Sequence, residues 1–142
     1  MDKPEYTLIT GASSGIGKAI AWYCGSLGMD LIRVSLPGEG LSQVAEAIEK
    51  QYGVKICCYE TDLSALHAPA TLFEFTQAQH LDVKILINNA GVAGASVFGQ
   101  SDVKYIDDRI LLNVRAVVML SRLYLPVLSS HPTSHILNVG SM

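Results

Sequence analysis

The residues best suited to chemistry open the chain: Thr10-Gly11-Ala12-Ser13-Ser14-Gly15-Ile16-Gly17. An apolar, β-branched run, Tyr6 to Ile9, precedes them and reads as a buried strand. Ile16, Ile20, Tyr23, Cys24 and Leu27 follow at helical spacing. The octet is therefore a glycine-rich turn from strand to helix. Gly11 admits φ values that a side chain resists. Ser13 and Ser14 are helix-start types, whose hydroxyls accept from free backbone N–H groups. Gly15 leaves room for a ligand against the backbone, and Gly17 lets the helix lie close on the sheet. The N–H groups of the first helical turn and the helix dipole then suit an anion, above all a pyrophosphate. Glycine spacing alone fits equally a tight turn that binds nothing.

Further polar residues stand where later strands end. Asp62 could accept from an adenine amino group or cap the next helix. Asn88 and Asn89 carry amides that donate and accept at once, fit to bridge loops, to touch a ribose, or simply to form a turn. Asn113 lies in a helical run among Leu111, Leu112, Val114 and Val117, where an amide is costly to bury unpaired. It should bond an ordered water, or a backbone carbonyl where the helix is distorted. Ser141, in Asn138-Val139-Gly140-Ser141, could donate to a substrate oxygen or be a plain turn serine.

The elements that must hold these groups alternate. Asp30–Ser35 reads as a second strand, and Pro37, Gly38 and Gly40 as its loop. Leu41, Val44, Ala45, Ile48 and Tyr52 mark a helix ending at Gly53. Strands follow at 54–59, 83–87 and 136–139. Between them lie a weaker helix, with Leu72, Phe75, Ala78 and Gln79 near one face, and a long one over 103–128. Alternation of this kind implies right-handed βαβ units and a doubly wound parallel sheet of order 3-2-1-4-5. A nucleotide would cross the switch point between strands 1 and 4.

The 142 residues suffice for one domain, 1–142, with its own core. Hydrophobic residues make up 49% and charged ones 16%, which fits strands buried on both faces. The net charge of −3 and the lack of a basic block argue against nucleic acid. Arg115, Arg122 and Pro126 interrupt the apolar run near 114–128, which argues against a membrane span. Cys24, Cys57 and Cys58 lack metal spacing and read as free thiols in a reducing cytoplasm; no metal site is expected. The first residues are polar and read as no signal peptide.

Taken in order, T-G-A-S-S-G-I-G at 10–17, Asp62-Leu63, N-N-A-G at 88–91, Asn113 in a helix and N-V-G-S at 138–141 resemble the short-chain dehydrogenase/reductase family. The resemblance spans essentially the whole chain. It implies a Rossmann-type fold, a nicotinamide cofactor and hydride exchange between an alcohol and a carbonyl. It assigns Gly11, Ser13, Ser14, Gly15, Ile16, Gly17, Asp62, Leu63, Asn89, Ala90 and Gly91 to the cofactor. Ser141 becomes the catalytic serine, and Asn113 the holder of a proton-relay water.

Relatives of this kind carry a Tyr-x-x-x-Lys pair beyond that serine, and none of the six tyrosines here has a Lys four residues on. The expectation is an amino-terminal portion, truncated after the fifth strand and inactive alone, of an NAD(P)-dependent oxidoreductase acting on a small alcohol or ketone. The alternative is a naturally short nucleotide-binding or interaction module without catalysis. The 34–36 stretch holds no acid to repel a 2′-phosphate, which favours NADP over NAD. Ser35, the N–H groups of the 37–40 loop and Arg33 would receive that phosphate. The family's dimer helix corresponds to 103–128, so a homodimer through it is expected.

Overall fold

A computed structural model describes residues 4–94 and 96–140. Five parallel strands form one sheet: β1 (Glu5–Thr10), β2 (Asp30–Ser35), β3 (Ile56–Glu60), β4 (Asp82–Asn88) and β5 (His135–Asn138). Their order is β3-β2-β1-β4-β5, as expected. Helices α1 (Gly15–Ser26), α2 (Leu41–Tyr52) and α3 (Ala68–Ala78) make the first crossovers. The long rod splits into α4 (Val103–Ile110), a π-helical turn (Leu111–Ala116) and α5 (Val117–Leu128).

Alternation along the strands divides the core. Leu8, Ile32 and Leu86 share one face with Leu72, Leu120 and Tyr124. Ile9, Leu31 and Ile87 face the other way, onto Ala21, Leu41 and Ile48. Cross-strand register keeps each set together: Leu8 pairs with Ile32 and Leu86, Ile9 with Arg33 and Ile87. Tyr124 lies fully buried, its ring edge-on to Phe73 at 5.1 Å and its hydroxyl 2.8 Å from Thr76 Oγ1. Burial pushes its phenol well above the usual tyrosine range.

Three local expectations change. The inward face of α1 carries Gly17, Ala21, Cys24 and Gly25, while Ile16, Tyr23 and Leu27 face solvent. Small residues let α1 approach α2 closely, and a Cβ on Gly25 would meet Ile48 Cγ2 at 2.6 Å. In α3 the buried positions are Ala68, Pro69, Leu72 and Thr76, and Ala78 and Gln79 are exposed. Val54 precedes β3 rather than opening it.

Residues Val103–Leu128 are long and apolar enough to cross a membrane, by length and composition alone. One stripe of the rod, Ala116, Leu120, Tyr124 and Leu128, packs into the core instead. All three cysteines are free thiols, and the described residues form no metal-binding cluster.

Candidate functional site

The carboxyl ends of the strands open onto one cleft of about 1030 Å³. Its walls bring together residues far apart in sequence: Gly11, Ser13, Ser14 and Ile16 from the glycine-rich turn, Ser35 after β2, and Asp62 and Leu63 after β3. Asn89, Ala90 and Gly91 after β4 join them, with Asn113 from the π-helical turn. Gly15 and Gly17 stand behind this lining, within the turn itself. Ser141 lies outside the described residues.

Thr10 stitches the two glycine-bearing segments together. Its Oγ1 accepts from the backbone N–H of Asn89 and of Ala90, both at 3.0 Å. In return the Asn89 amide donates to the carbonyls of Thr10 and Gly11, each at 3.1 Å. Asn89 therefore bridges loops. Asn88 turns away, buried, and its amide donates to Ser121 Oγ at 3.1 Å and Asn138 Oδ1 at 2.9 Å.

The glycines have distinct duties. Gly11 sits at φ +64° with Ala90 Cα 2.8 Å from where a Cβ would stand. Gly15, at φ +52°, has open space where a Cβ would stand. Gly17 packs against the Gly11 carbonyl and the Asn89 amide, so its close approach is to the turn rather than to the sheet. The Ser14 side chain, at the start of α1, makes no cap bond among the described residues. The first-turn N–H groups of α1 are left for an anion, which fits a dinucleotide pyrophosphate.

Ser13, Ser14 and Asp62 depart from their expected capping roles, whereas Asn113 meets one of its expected partners, a backbone carbonyl. The Ser14 hydroxyl makes no cap bond, and Ser13 Oγ donates to Glu39 Oε2 instead. Asp62 Oδ1 accepts from Ser64 N at 2.9 Å and Ser64 Oγ at 2.7 Å, while α3 starts later, after His67, which makes no side-chain cap bond. The amide of Asn113 clasps the backbone of Val92, accepting from its N–H and donating to its carbonyl, both at 2.9 Å. The helix is π-helical at that point, as its distortion was expected to show.

Ser35, Gly38 N and Arg33, three of the groups expected to receive a 2′-phosphate, have other partners. Ser35 Oγ donates to Leu36 O at 3.1 Å, and Gly38 N donates to Glu60 Oε1 at 3.4 Å. Arg33 is fully buried on the α1–α2 side of the sheet, donating to Leu41 O at 3.1 Å and to Ala12 O. Glu39 and Arg109 also line the cleft, and sequence reasoning singled out neither, while Thr10 was read only as part of the turn. Arg109 lies 3.2 Å from the Tyr105 ring centroid and donates to Ala93 O at 3.3 Å, at the far end of the cleft. Thr10 gave a signal, a hydroxyl directly before the turn. Neither Glu39 nor Arg109 falls in a motif.

A doubly wound parallel sheet with an uncapped, glycine-rich α1 at its switch point defines a Rossmann-type dinucleotide-binding domain. The sequence profile described as short chain dehydrogenase matches residues 5–142. The chain belongs to the short-chain dehydrogenase/reductase family. It is 33% identical over 141 residues to the NADP-dependent 3-hydroxy acid dehydrogenase of Schizosaccharomyces pombe, a match covering 95% of this chain and 53% of that one. The 3-oxoacyl-[acyl-carrier-protein] reductase FabG of Pseudomonas aeruginosa is 32% identical over 139 residues, covering 97% and 56%. Among solved structures, a short-chain dehydrogenase from Sphingobium yanoikuyae in complex with NADPH superposes with a TM-score of 0.89 at 32% identity. That superposition covers 99% of this chain and 54% of the other. The chain thus spans about half the length of the curated relatives it matches.

Proposed function

We propose that the chain is the cofactor-binding portion of an NADP- or NAD-dependent oxidoreductase that interconverts an alcohol and a carbonyl. The observation carrying this reading is the Thr10–Asn89 stitch, which sets the glycine-rich turn and the 88–91 segment on one cleft. When bound, the dinucleotide supplies hydride exchange with the substrate carbon. The chain's own residues bind and orient. The α1 N-terminus takes the pyrophosphate, Ile16 and Leu63 give apolar walls, and Asp62 stands beside the adenine. Asn113 positions the 88–92 segment through Val92. Ser141 donates to the substrate oxygen, with the acid/base supplied by a Tyr-x-x-x-Lys pair outside these 142 residues. The chain alone is therefore read as inactive. We place it in the cytoplasm on its free thiols, and we read 103–128 as a packing element rather than a membrane span.

Titration of NADP and NAD, together with turnover of small ketones by the whole gene product, tests this. Binding with turnover, and a loss of about 10²-fold or more in Ser141→Ala at near-constant cofactor affinity, is expected. Binding without any turnover by the whole product would favour a non-catalytic module.

The partner we propose is a second copy. Val103, Ile110, Val114, Val118 and Leu125 form an exposed apolar stripe along the rod, of the kind that finds a cover. Sedimentation over a concentration series should show a dimer, and Val114→Lys should shift it to monomer. A monomer at every concentration would overturn the proposal.

A further inference from the structure

The cleft carries its charges unevenly. Glu39 and Asp62 line it from the loops after β2 and β3, on one side of β1. Arg109 lines it beside the loop that follows β4, on the other side. A second, smaller cavity of about 340 Å³ adjoins the cleft there. Arg109 and Asn113, one helical turn apart, line both. Among the described residues around the two cavities, Arg109 is the only Lys or Arg.

This guanidinium is positioned but not neutralised. It lies on the Tyr105 ring, and its Nη1 and Nη2 donate to Tyr105 O at 3.2 Å and Ala93 O at 3.3 Å. A Cβ on Gly94 would meet Arg109 Nε at 2.7 Å, so the glycine leaves room for the side chain. Nε itself is buried without a partner among the described residues. No carboxylate pairs with Arg109 among them either. The neighbouring Asp108, which also lines the cleft, is taken by Lys104 at 2.6 Å. Two neutral carbonyls thus hold a planar cation with five N–H groups, whose best-matched partner is a carboxylate.

On the reading above, Asp62 stands beside the adenine and the α1 N-terminus takes the pyrophosphate. The β4 side is left for the reacting end of the cofactor and for the substrate, and Arg109 stands there with Asn113. Residues four apart on a helix hold their Cβ atoms about 5–6 Å from each other. An anion on Arg109 is therefore within a short carbon chain of a carbonyl held near Asn113.

We propose that Arg109 is a substrate-anchoring, specificity-determining residue: it binds the carboxylate of a short oxo acid, or of the hydroxy acid with which that oxo acid interconverts. This rests on the oxidoreductase reading above.

Calorimetric titration of levulinate, a short oxo acid, and of its methyl ester into the whole gene product saturated with oxidised NADP or NAD tests it. An oxidised cofactor and a ketone cannot exchange hydride, so binding is read without turnover. The acid should bind on the order of ten-fold more tightly than the ester, as for one charge-assisted contact in partly solvated surroundings. Added salt should weaken the acid and spare the ester. Arg109→Gln should erase the preference, and Arg109→Lys should restore part of it, because an ammonium keeps the charge without the fork. If Arg109 only props the 92–94 loop, Arg109→Gln weakens both probes equally and the proposal is overturned. Equal binding of acid and ester to the wild type, no binding of either, or a preference that survives in Arg109→Gln overturns it too, and leaves the dinucleotide site standing. If neither NADP nor NAD binds, the dinucleotide reading falls and takes this proposal with it.

Discussion

Gly17→Ala is expected to destabilise the chain by about 2–4 kcal/mol and to weaken dinucleotide binding at least roughly ten-fold. The substitution looks favourable locally, since alanine in a helix interior is worth about 1 kcal/mol over glycine. The packing reverses that gain. A Cβ at position 17 would run into the Gly11 carbonyl oxygen and the Asn89 amide nitrogen, with the Gly11 carbonyl carbon at 2.8 Å. Neither neighbour can retreat. Gly11 is pressed against Ala90, and the Asn89 amide is tied to two carbonyls. The methyl must displace either α1 or the stitch, and both shape the cleft. Gly15→Ala provides the contrast. It has open space at its Cβ and meets only the left-handed penalty of about 1–2 kcal/mol. Urea denaturation with cofactor titration separates the two. A Gly17→Ala chain as stable as the wild type would refute the packing argument.

Arg33→Ala should cost about 3 kcal/mol or more, and Arg33→Met should recover a large part of that loss. The guanidinium is fully buried and lies on two carbonyls, Leu41 O and Ala12 O, while its Nε has no partner among the described residues. Burial lowers its pKa below the usual guanidinium range. Alanine removes the bonds and leaves a cavity under the glycine-rich turn. Methionine restores most of the volume and also removes the cost of burying a charge; the Ala12 carbonyl loses its guanidinium donor, while Leu41 O still accepts from Cys58 Sγ. Equal urea midpoints for the two variants would show that packing around this side chain contributes nothing.

Much of the architecture was legible because punctuation marks it. Gly28 and Pro37 bracket β2, and Gly53 in the left-handed region ends α2. Asn113 announced itself as an amide without purpose in an apolar helix. What stayed hidden has physical causes. Counting large apolar residues misplaced the inner face of α1, because close helix packing there selects Gly17, Ala21 and Gly25. Arg33 read as a cation near the cleft, yet strand alternation points it to the face shared with Ile9. Glu39 reaches Ser13 only because two left-handed glycines reverse the loop, and no periodicity reports that. The Ser13 and Ser14 hydroxyls read as caps, but the carboxylate outcompetes the backbone for one of them.

The π-helical turn at Leu111–Ala116 works as a phase shifter for the rod that contains it. An α-helix advances 100° per residue, so a turn holding one residue more than usual offsets everything after it by that angle. Before the offset and at its start, the rod is in step with the loop at 92–94, through Arg109 and then Asn113. After it, the rod is in step with the sheet, through Leu120, Tyr124 and Leu128. A regular α-helix could satisfy only one of these two timings. The bulge is where the clock of the ligand cleft and the clock of the core are reconciled, and removing one residue from it would yield a better helix and a worse site.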